Sequence, residues 1–207
     1  MITTDEAIER ARALASRGRR TLLGITGPPG GGKSTLARAV ADELSGRAAL
    51  IGMDGFHLAQ AELVRLGRRD RMGALDTFDG AGYVALLRRL RAADEVVYAP
   101  EFRREIEEPI AGAVAVPPDV PLVITEGNYL LVDSGPWAEV RDLLDEAWFV
   151  VQDEERRLEL LIARHVEFGK EPDYAREWVM RSDQRNAELI ETTRARADAL
   201  VRVMRAG

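Results

Sequence analysis

Between an apolar run and a helical pattern, the stretch LLGITGPPGGGKSTLARAV (Leu22–Val40) inserts two prolines, three consecutive glycines, a lysine and two hydroxyls. Gly27 to Ser34 satisfies every fixed position of the spacing Gly-x-x-x-x-Gly-Lys-Ser/Thr, with a strand-like run before it and a helix after it. The free N–H groups of a first helical turn, together with the positive end of the helix dipole, attract phosphate. Pro28 and Pro29 have no N–H, so the cradle is expected from Gly30, Gly31, Gly32, Lys33, Ser34 and Thr35, with Gly27 opening the loop. Lys33 is expected as a point charge on the terminal phosphates of a nucleotide, and Ser34 as a ligand of magnesium. A glycine-rich turn without chemistry is the alternative, which the flanking strand and helix disfavour.

Three acids end apolar, strand-like runs: Asp54 in IGMDGFH, Glu126 in LVITEGN and Asp153 in FVVQDEE. Ligands of open parallel sheets bind beyond the carboxyl ends of the strands, so all three point towards the edge that carries the phosphate loop. Asp54 is placed to take the proton of a substrate hydroxyl as it attacks a terminal phosphate, or else is a turn aspartate before Gly55. Glu126 is expected to hold magnesium directly or through water, or else to be a strand-end turn with Gly127. Asp153 is read as a helix N-cap ahead of Glu154 and Glu155, without a catalytic role.

Phosphoryl transfer spreads negative charge over the moving group, and cations from a mobile lid can neutralise it. ARHVEFGKEPDY supplies Arg164, His165 and Lys170 around Gly169 and Pro172. Two readings of this segment stay open: a lid over residues 164–173, or a helix C-terminus with cations suited to the dipole. Arg103 and Arg104, and Arg68, Arg69 and Arg71, form further clusters that could contact a substrate. His57 lies three residues after Asp54 and could reach the same pocket. With two histidines and no cysteine, a histidine–cysteine metal site is excluded.

These groups must be positioned by elements that the pattern partly reveals. Thr3 with Glu6 reads as a capping box, and Ala7, Ile8, Ala11 and Leu14 recur at helical spacing up to a stop at Gly18. Continuous apolar runs at 21–26, 48–53, 121–125 and 147–151 read as strands buried on both faces. Helical patterns lie at 81–91 and 154–168, and a longer one runs from after Pro172 to about Arg196. ADALVRV (Ala197–Val203) fits either a helix extension or a last strand. Residues 95–118, with four prolines and no helical period, read as a protruding hairpin or irregular insert. Alternating strands and helices give an α/β doubly wound fold, here one domain over 1–207 with an N-terminal helix in 1–20.

Composition bounds the function. The 207 residues suffice for one sizeable core, and 46% apolar with 31% charged residues is a globular mixture. The apolar runs are too short to span a bilayer and no secretory leader is visible, so a cytoplasmic location is expected. A net charge of −6 with scattered arginines disfavours a nucleic-acid partner.

Several stretches together resemble the phosphoribulokinase, uridine kinase and pantothenate kinase group of P-loop kinases: GPPGGGKST, MDGFH, RMGALDTFD, YAPEFRREIEEPI, TEGNYLL, RHVEFGK and SDQRNA with ADALV. They span most of the chain, and EGNYLL with RHVEFGK is most similar to the small bacterial members labelled fructokinase-like or nucleoside-kinase-like. The resemblance implies a three-layer α/β/α P-loop NTPase fold with a five-stranded, mostly parallel sheet, which makes ADALVRV a strand. It implies Asp54 as base, Glu126 as the Walker B-like acid, and Arg164 and Lys170 in the lid, with Lys170 also contacting ATP. Thr77, Asp79, Arg104 and His57 fall where the acceptor is held. The implied ligands are ATP, Mg2+ and a small acceptor, with no nucleic acid or membrane and with a homodimer left open.

An ATP-dependent kinase acting on a sugar such as fructose, or on a related polyol, is therefore expected. A nucleoside or pantothenate kinase is the alternative; His57 stands where uridine kinases carry an aromatic hydroxyl, and pantothenate kinases of this fold are longer. More distant is an ATP-driven switch, since GPPGGGK also resembles AAA-type ATPases, but Glu126 is followed by Gly127 rather than belonging to an Asp-Glu pair. A non-catalytic binder is disfavoured because Lys33, Ser34, Asp54 and Glu126 are all chemically competent.

Overall fold

The computed structural model of the chain describes residues 1–203; residues 204–207 of the expected domain lie outside the described residues. The elements run α1 (Thr4–Leu14), β1 (Thr21–Thr26), α2 (Lys33–Glu43), β2 (Ala48–Gly52), α3 (Gln60–Arg65), α4 (Gly80–Ala92), β3 (Val97–Arg103), β4 (Glu108–Val116) and β5 (Leu122–Glu126). They continue through α5 (Val140–Leu143), β6 (Glu146–Val151), α6 (Glu154–Glu167), α7 (Pro172–Trp178), α8 (Gln184–Glu191) and β7 (Ala199–Arg202).

Strands β2, β5, β1, β6 and β7 lie side by side in that order, all parallel. Successive side chains leave opposite faces. Leu22, Val123, Ala147 and Phe149 enter a core shared with α4 and Trp137. Leu23, Ile25, Leu122, Ile124, Trp148 and Val150 enter a second core shared with α1 and α2. Helices on both faces explain why the strands read as unbroken apolar runs, and they make the three-layer α/β/α fold with its five-stranded sheet.

Register sets up the site. Glu126, the last residue of β5, lies opposite Ile25 of β1 and Gly52 of β2. Two residues further along each neighbour come Gly27, which opens the phosphate loop, and Asp54.

The insert is an antiparallel hairpin of β3 and β4 whose register shifts between Ala99 and Glu101, around Pro100, a residue that cannot donate to a ladder. It leans on the turn that carries Asp54. A Cβ at Gly55 would lie 2.5 Å from the Pro100 carbonyl oxygen, so only glycine permits this approach.

At the N-terminus the Thr3–Glu6 capping box is formed. Ala7, Ala11 and Leu14 pack in one core with Leu36, Ala37 and Val40 of α2. Ile2 bridges Val201 of β7, donating to Leu200 O at 2.8 Å and accepting from Arg202 at 2.9 Å. ADALVRV supplies the strand Ala199–Arg202, as the resemblance implied, paired with Trp148–Val151 of β6.

One expectation fails. The long helix after Pro172 is interrupted by a π-helical segment, Val179–Asp183, between α7 and α8, and the α-helix ends at Glu191. A π turn inserts a residue and rotates the faces that follow, which hydrophobic spacing over a polar stretch cannot signal.

Arg20, 8% exposed, holds the end of the sheet opposite the site. Its guanidinium donates to Val120 O and Leu90 O, each at 3.0 Å, and to Pro117 O, joining the end of α4 to the loop before β5. Replacing it with methionine leaves the buried Leu90 carbonyl, and the less buried Val120 and Pro117 carbonyls, without this donor, so Arg20→Met should destabilise the fold by about 2 kcal/mol. Urea unfolding with an unchanged m-value is the readout; an unchanged midpoint would refute the role.

Candidate active site

Helix α2 begins at Gly32, which sits in the left-handed region (φ 91°) and provides no side-chain cap. By contrast Thr3, Asp79 and Asp153 cap α1, α4 and α6 with their side chains. The leading N–H groups of α2 are thus left for an anion. Gly31 differs from its neighbours in that its N–H is donated to Pro28 O at 3.0 Å. Lys33 is 8% exposed and its Nζ donates to the same carbonyl at 3.0 Å. Burial pulls its pKa down to about 8, against the attraction of Glu126 and Asp54.

Ser34 Oγ donates to Glu126 Oε1 at 3.0 Å, joining the first turn of α2 to the end of β5. Loss of water and the nearby Asp54 charge push the Glu126 pKa up, while Lys33 and Ser34 oppose them. A carboxylate that is costly to ionise beside a hydroxyl suits a magnesium ion, which favours oxygen ligands and relieves that cost. Among the described residues no three of His, Cys, Asp and Glu cluster as a metal cage. These residues therefore fit a cation held largely by the phosphates, with Ser34 and Glu126 as the protein's share.

Two cavities meet at this point. One, about 660 Å³, runs past Gly32, Thr35, Arg38 and Leu160 to Val203. The other, about 410 Å³, is walled by Asp54, His57, Phe102, Asn128, Tyr174 and Asn186 among others. Gly30, Lys33, Ser34, Arg104 and Arg164 line both.

Asp54 Oδ2 is 3.5 Å from Arg104 NH2, which comes from the hairpin turn. His57 Nδ1 lies 2.8 Å from Asp54 O, and its ring is packed between Phe78 and Phe102 at centroid distances of 3.9 and 4.7 Å. Burial lowers its pKa, so the imidazole is neutral at pH 7; with Nδ1–H facing a carbonyl, Nε2 is left as an acceptor. Burial also lowers the Arg164 pKa, and the like charge of Arg104 adds to the effect. An anion between the two guanidiniums would relieve both.

Sequence comparisons place this geometry among known enzymes. The model of the ATPase family associated with various cellular activities (AAA) matches residues 23–114, ending before Glu126. An Aspergillus versicolor protein named as an ATP-dependent kinase-like protein is 37% identical over 72% of this chain and 92% of its own length. A Schizosaccharomyces pombe protein named as a uridine kinase is 32% identical over 97% of this chain and 91% of its own. A solved structure from Silicibacter, named as a fructose transport system kinase, superposes with a TM-score of 0.87 at 32% identity, covering 97% of this chain and 99% of that one.

The chain belongs to the uridine kinase and pantothenate kinase-like group of P-loop kinases. It is a small-molecule kinase, a family that binds ATP. No helix among its described residues is long and apolar enough to cross a membrane.

Of the residues expected from sequence, this kinase brings Gly30, Lys33, Ser34, Asp54, His57, Arg104, Glu126, Arg164 and Lys170 to the two cavities. Two expected acceptor residues lie elsewhere. Thr77 is fully buried, its hydroxyl donating to Ala74 O at 2.7 Å and accepting from Gly73 N at 3.0 Å. Asp79 caps α4 by accepting from Gly82 N at 2.8 Å. Both shape the turn behind Phe78 and reach neither cavity. In the 164–173 segment Gly169 (φ 91°) closes the end of α6, while Arg164 and Lys170 line the smaller cavity, Lys170 Nζ lying 5.2 Å from the Trp178 ring centre.

Sequence reasoning missed Asn128, Tyr174, Trp178, Asp183 and Asn186 on the cavity wall, and Arg157 behind the phosphate loop. Arg157 carried a faint signal: it precedes Leu161 by one helical turn on the apolar face of α6, an odd place for a charge.

The buried ammonium of Lys33 yields a signed prediction. The unfolded chain keeps this proton up to its ordinary 10.5 and the native one only to about 8, so ligand-free stability rises with pH between those values. Below them the charge penalises the fold, and Lys33→Met should stabilise the ligand-free kinase at pH 7 by about 2 kcal/mol while abolishing ATP-analogue binding. Wild-type affinity for the analogue should fall as pH rises through about 8. A destabilised Lys33→Met protein, or a flat pH profile, would contradict this.

Proposed function

We propose that the protein transfers the γ-phosphate of ATP to a hydroxyl of a small polar metabolite, a sugar such as fructose or a related polyol. The observation that carries this reading is the junction of the two cavities, where Lys33, Ser34, Arg104 and Arg164 are shared and Asp54 stands on the smaller side only. ATP occupies the larger cavity with its phosphates on the loop, and the acceptor occupies the smaller. Asp54 takes the hydroxyl proton as the oxygen attacks the γ-phosphorus, and ADP leaves with the bridging oxygen. Neutral His57 accepts a hydrogen bond from the acceptor at Nε2 and orients it. Lys33 and Arg164 neutralise the charge on the transferring group, whereas Lys170, expected on ATP, lines only the smaller cavity and so stands on the acceptor side. Magnesium, which Ser34 and Glu126 would hold, supplies neutralisation of the β- and γ-phosphates.

A sugar is supported by the name of the Silicibacter neighbour and by the polar wall of Asn128, Asp183 and Asn186. A nucleoside is the second reading, favoured by the name of the Schizosaccharomyces relative and by Phe102, Tyr174 and Trp178, whose rings could stack a base.

ADP release measured across ketohexoses, pentoses, nucleosides and pantothenate separates them. Stimulation by a ketohexose is expected; stimulation by nucleosides alone would overturn the sugar. Rapid hydrolysis without any acceptor would favour a switch NTPase. With the active acceptor, Asp54→Asn should slow turnover about a thousand-fold with the ATP-analogue Kd nearly unchanged. Undiminished turnover would remove Asp54 as the base.

A further inference from the structure

Arg157 is 1% exposed, on the second turn's edge of α6 and outside both cavities. Its guanidinium divides its donors among three parts of the molecule. NH1 donates to Pro29 O of the phosphate loop at 2.9 Å. Nε and NH2 form a fork on the Glu154 carboxylate at 2.9 and 2.7 Å, within α6. NH2 also donates to the side-chain oxygen of Gln184, the first residue of α8. Gln184 in turn donates to Glu154 at 3.1 Å, closing the ring of contacts.

The helix behind this cluster touches the loop directly. A Cβ at Gly30 would lie 3.0 Å from Arg157 O and 3.1 Å from Leu161 Cβ, and Gly30 has φ 77°. Loop and α6 therefore cannot slide independently without a clash or a gap. On its other side the cluster ends one residue after the π-helical segment. Asp183, the last residue of that segment, faces the smaller cavity and is fixed by His165 Nε2 at 2.8 Å.

We propose that Arg157 is a positioning residue that couples the phosphate loop to the α7–α8 wall of the acceptor cavity. A nucleotide that fixes the Pro29 carbonyl fixes the guanidinium, and through Gln184 it fixes the register of the π segment and the start of α8. The wall that meets the acceptor is then ordered by the donor. An arginine is required because its planar fork spans a carbonyl, a carboxylate and an amide at once, whereas a lysine places one point charge. The coupling is a bias on the π-helical segment Val179–Asp183, a rare single-turn insertion between α7 and α8.

This inference rests on the reading of the larger cavity as a nucleotide site. Hydrogen exchange of the full chain is followed with and without the non-hydrolysable ATP analogue AMP-PNP and magnesium, in wild type, Gln184→Leu and Arg157→Lys. In wild type the analogue should slow exchange of the peptide covering residues 183–191 by about five-fold or more. Gln184→Leu keeps the side-chain bulk and leaves the loop contact intact, so it should bind the analogue with a Kd within about three-fold of wild type yet lose that protection. Arg157→Lys should lose it as well. Equal protection in wild type and Gln184→Leu, or none in wild type despite bound analogue, would overturn the coupling. Failure of wild type to bind the analogue would instead overturn the nucleotide reading on which the coupling stands.

Discussion

The contact on which the site depends is the hydrogen bond from Ser34 Oγ to Glu126 Oε1, 3.0 Å long and partly buried. It joins the start of α2 to the end of β5, two elements far apart in the chain. The parallel register makes it unavoidable, because Glu126 lies opposite Ile25 and Gly52 and so between the loop that follows β1 and the turn that follows β2. Changing the register of β5 by one residue would turn Glu126 to the other face and leave Ser34 without a partner.

Around this contact the charges are arranged to be unsatisfied. Lys33 carries a burdened ammonium, Glu126 a carboxyl that resists ionising, and Arg104 and Arg164 repel each other across the junction of the cavities. In the proposed reading each would be relieved by one ligand, a polyphosphate with its negative oxygens at the junction. The protein thus holds a preorganised field whose cost is borne by the fold and returned on binding, the usual arrangement where catalysis is electrostatic.

What was legible in the sequence follows from how local each feature is. The phosphate loop is a continuous segment whose residues act in place, so spacing alone revealed it. Asp54 and Glu126 stand out because they end apolar strands, and the sheet brings both to the edge that carries the loop. The strand Ala199–Arg202 needed the resemblance, since a four-residue strand carries no usable period. Thr77 and Asp79 misled because a turn aspartate and threonine look alike whether they cap a helix or hold a ligand. Asn186, Asp183 and Trp178 were hidden by the π segment, which changes the face that residues share without changing composition. Arg157 was hidden because its partners, Pro29 and Gln184, are brought to it only by the tertiary fold.

The most direct test of this arrangement is the magnesium dependence of AMP-PNP affinity in wild type and in Glu126→Gln. If Ser34 and Glu126 form the metal end of the donor site, magnesium should tighten wild-type binding by about ten-fold or more. Glu126→Gln should then keep the magnesium-free affinity and lose most of that gain. A variant that gains as much from magnesium as wild type would contradict the assignment.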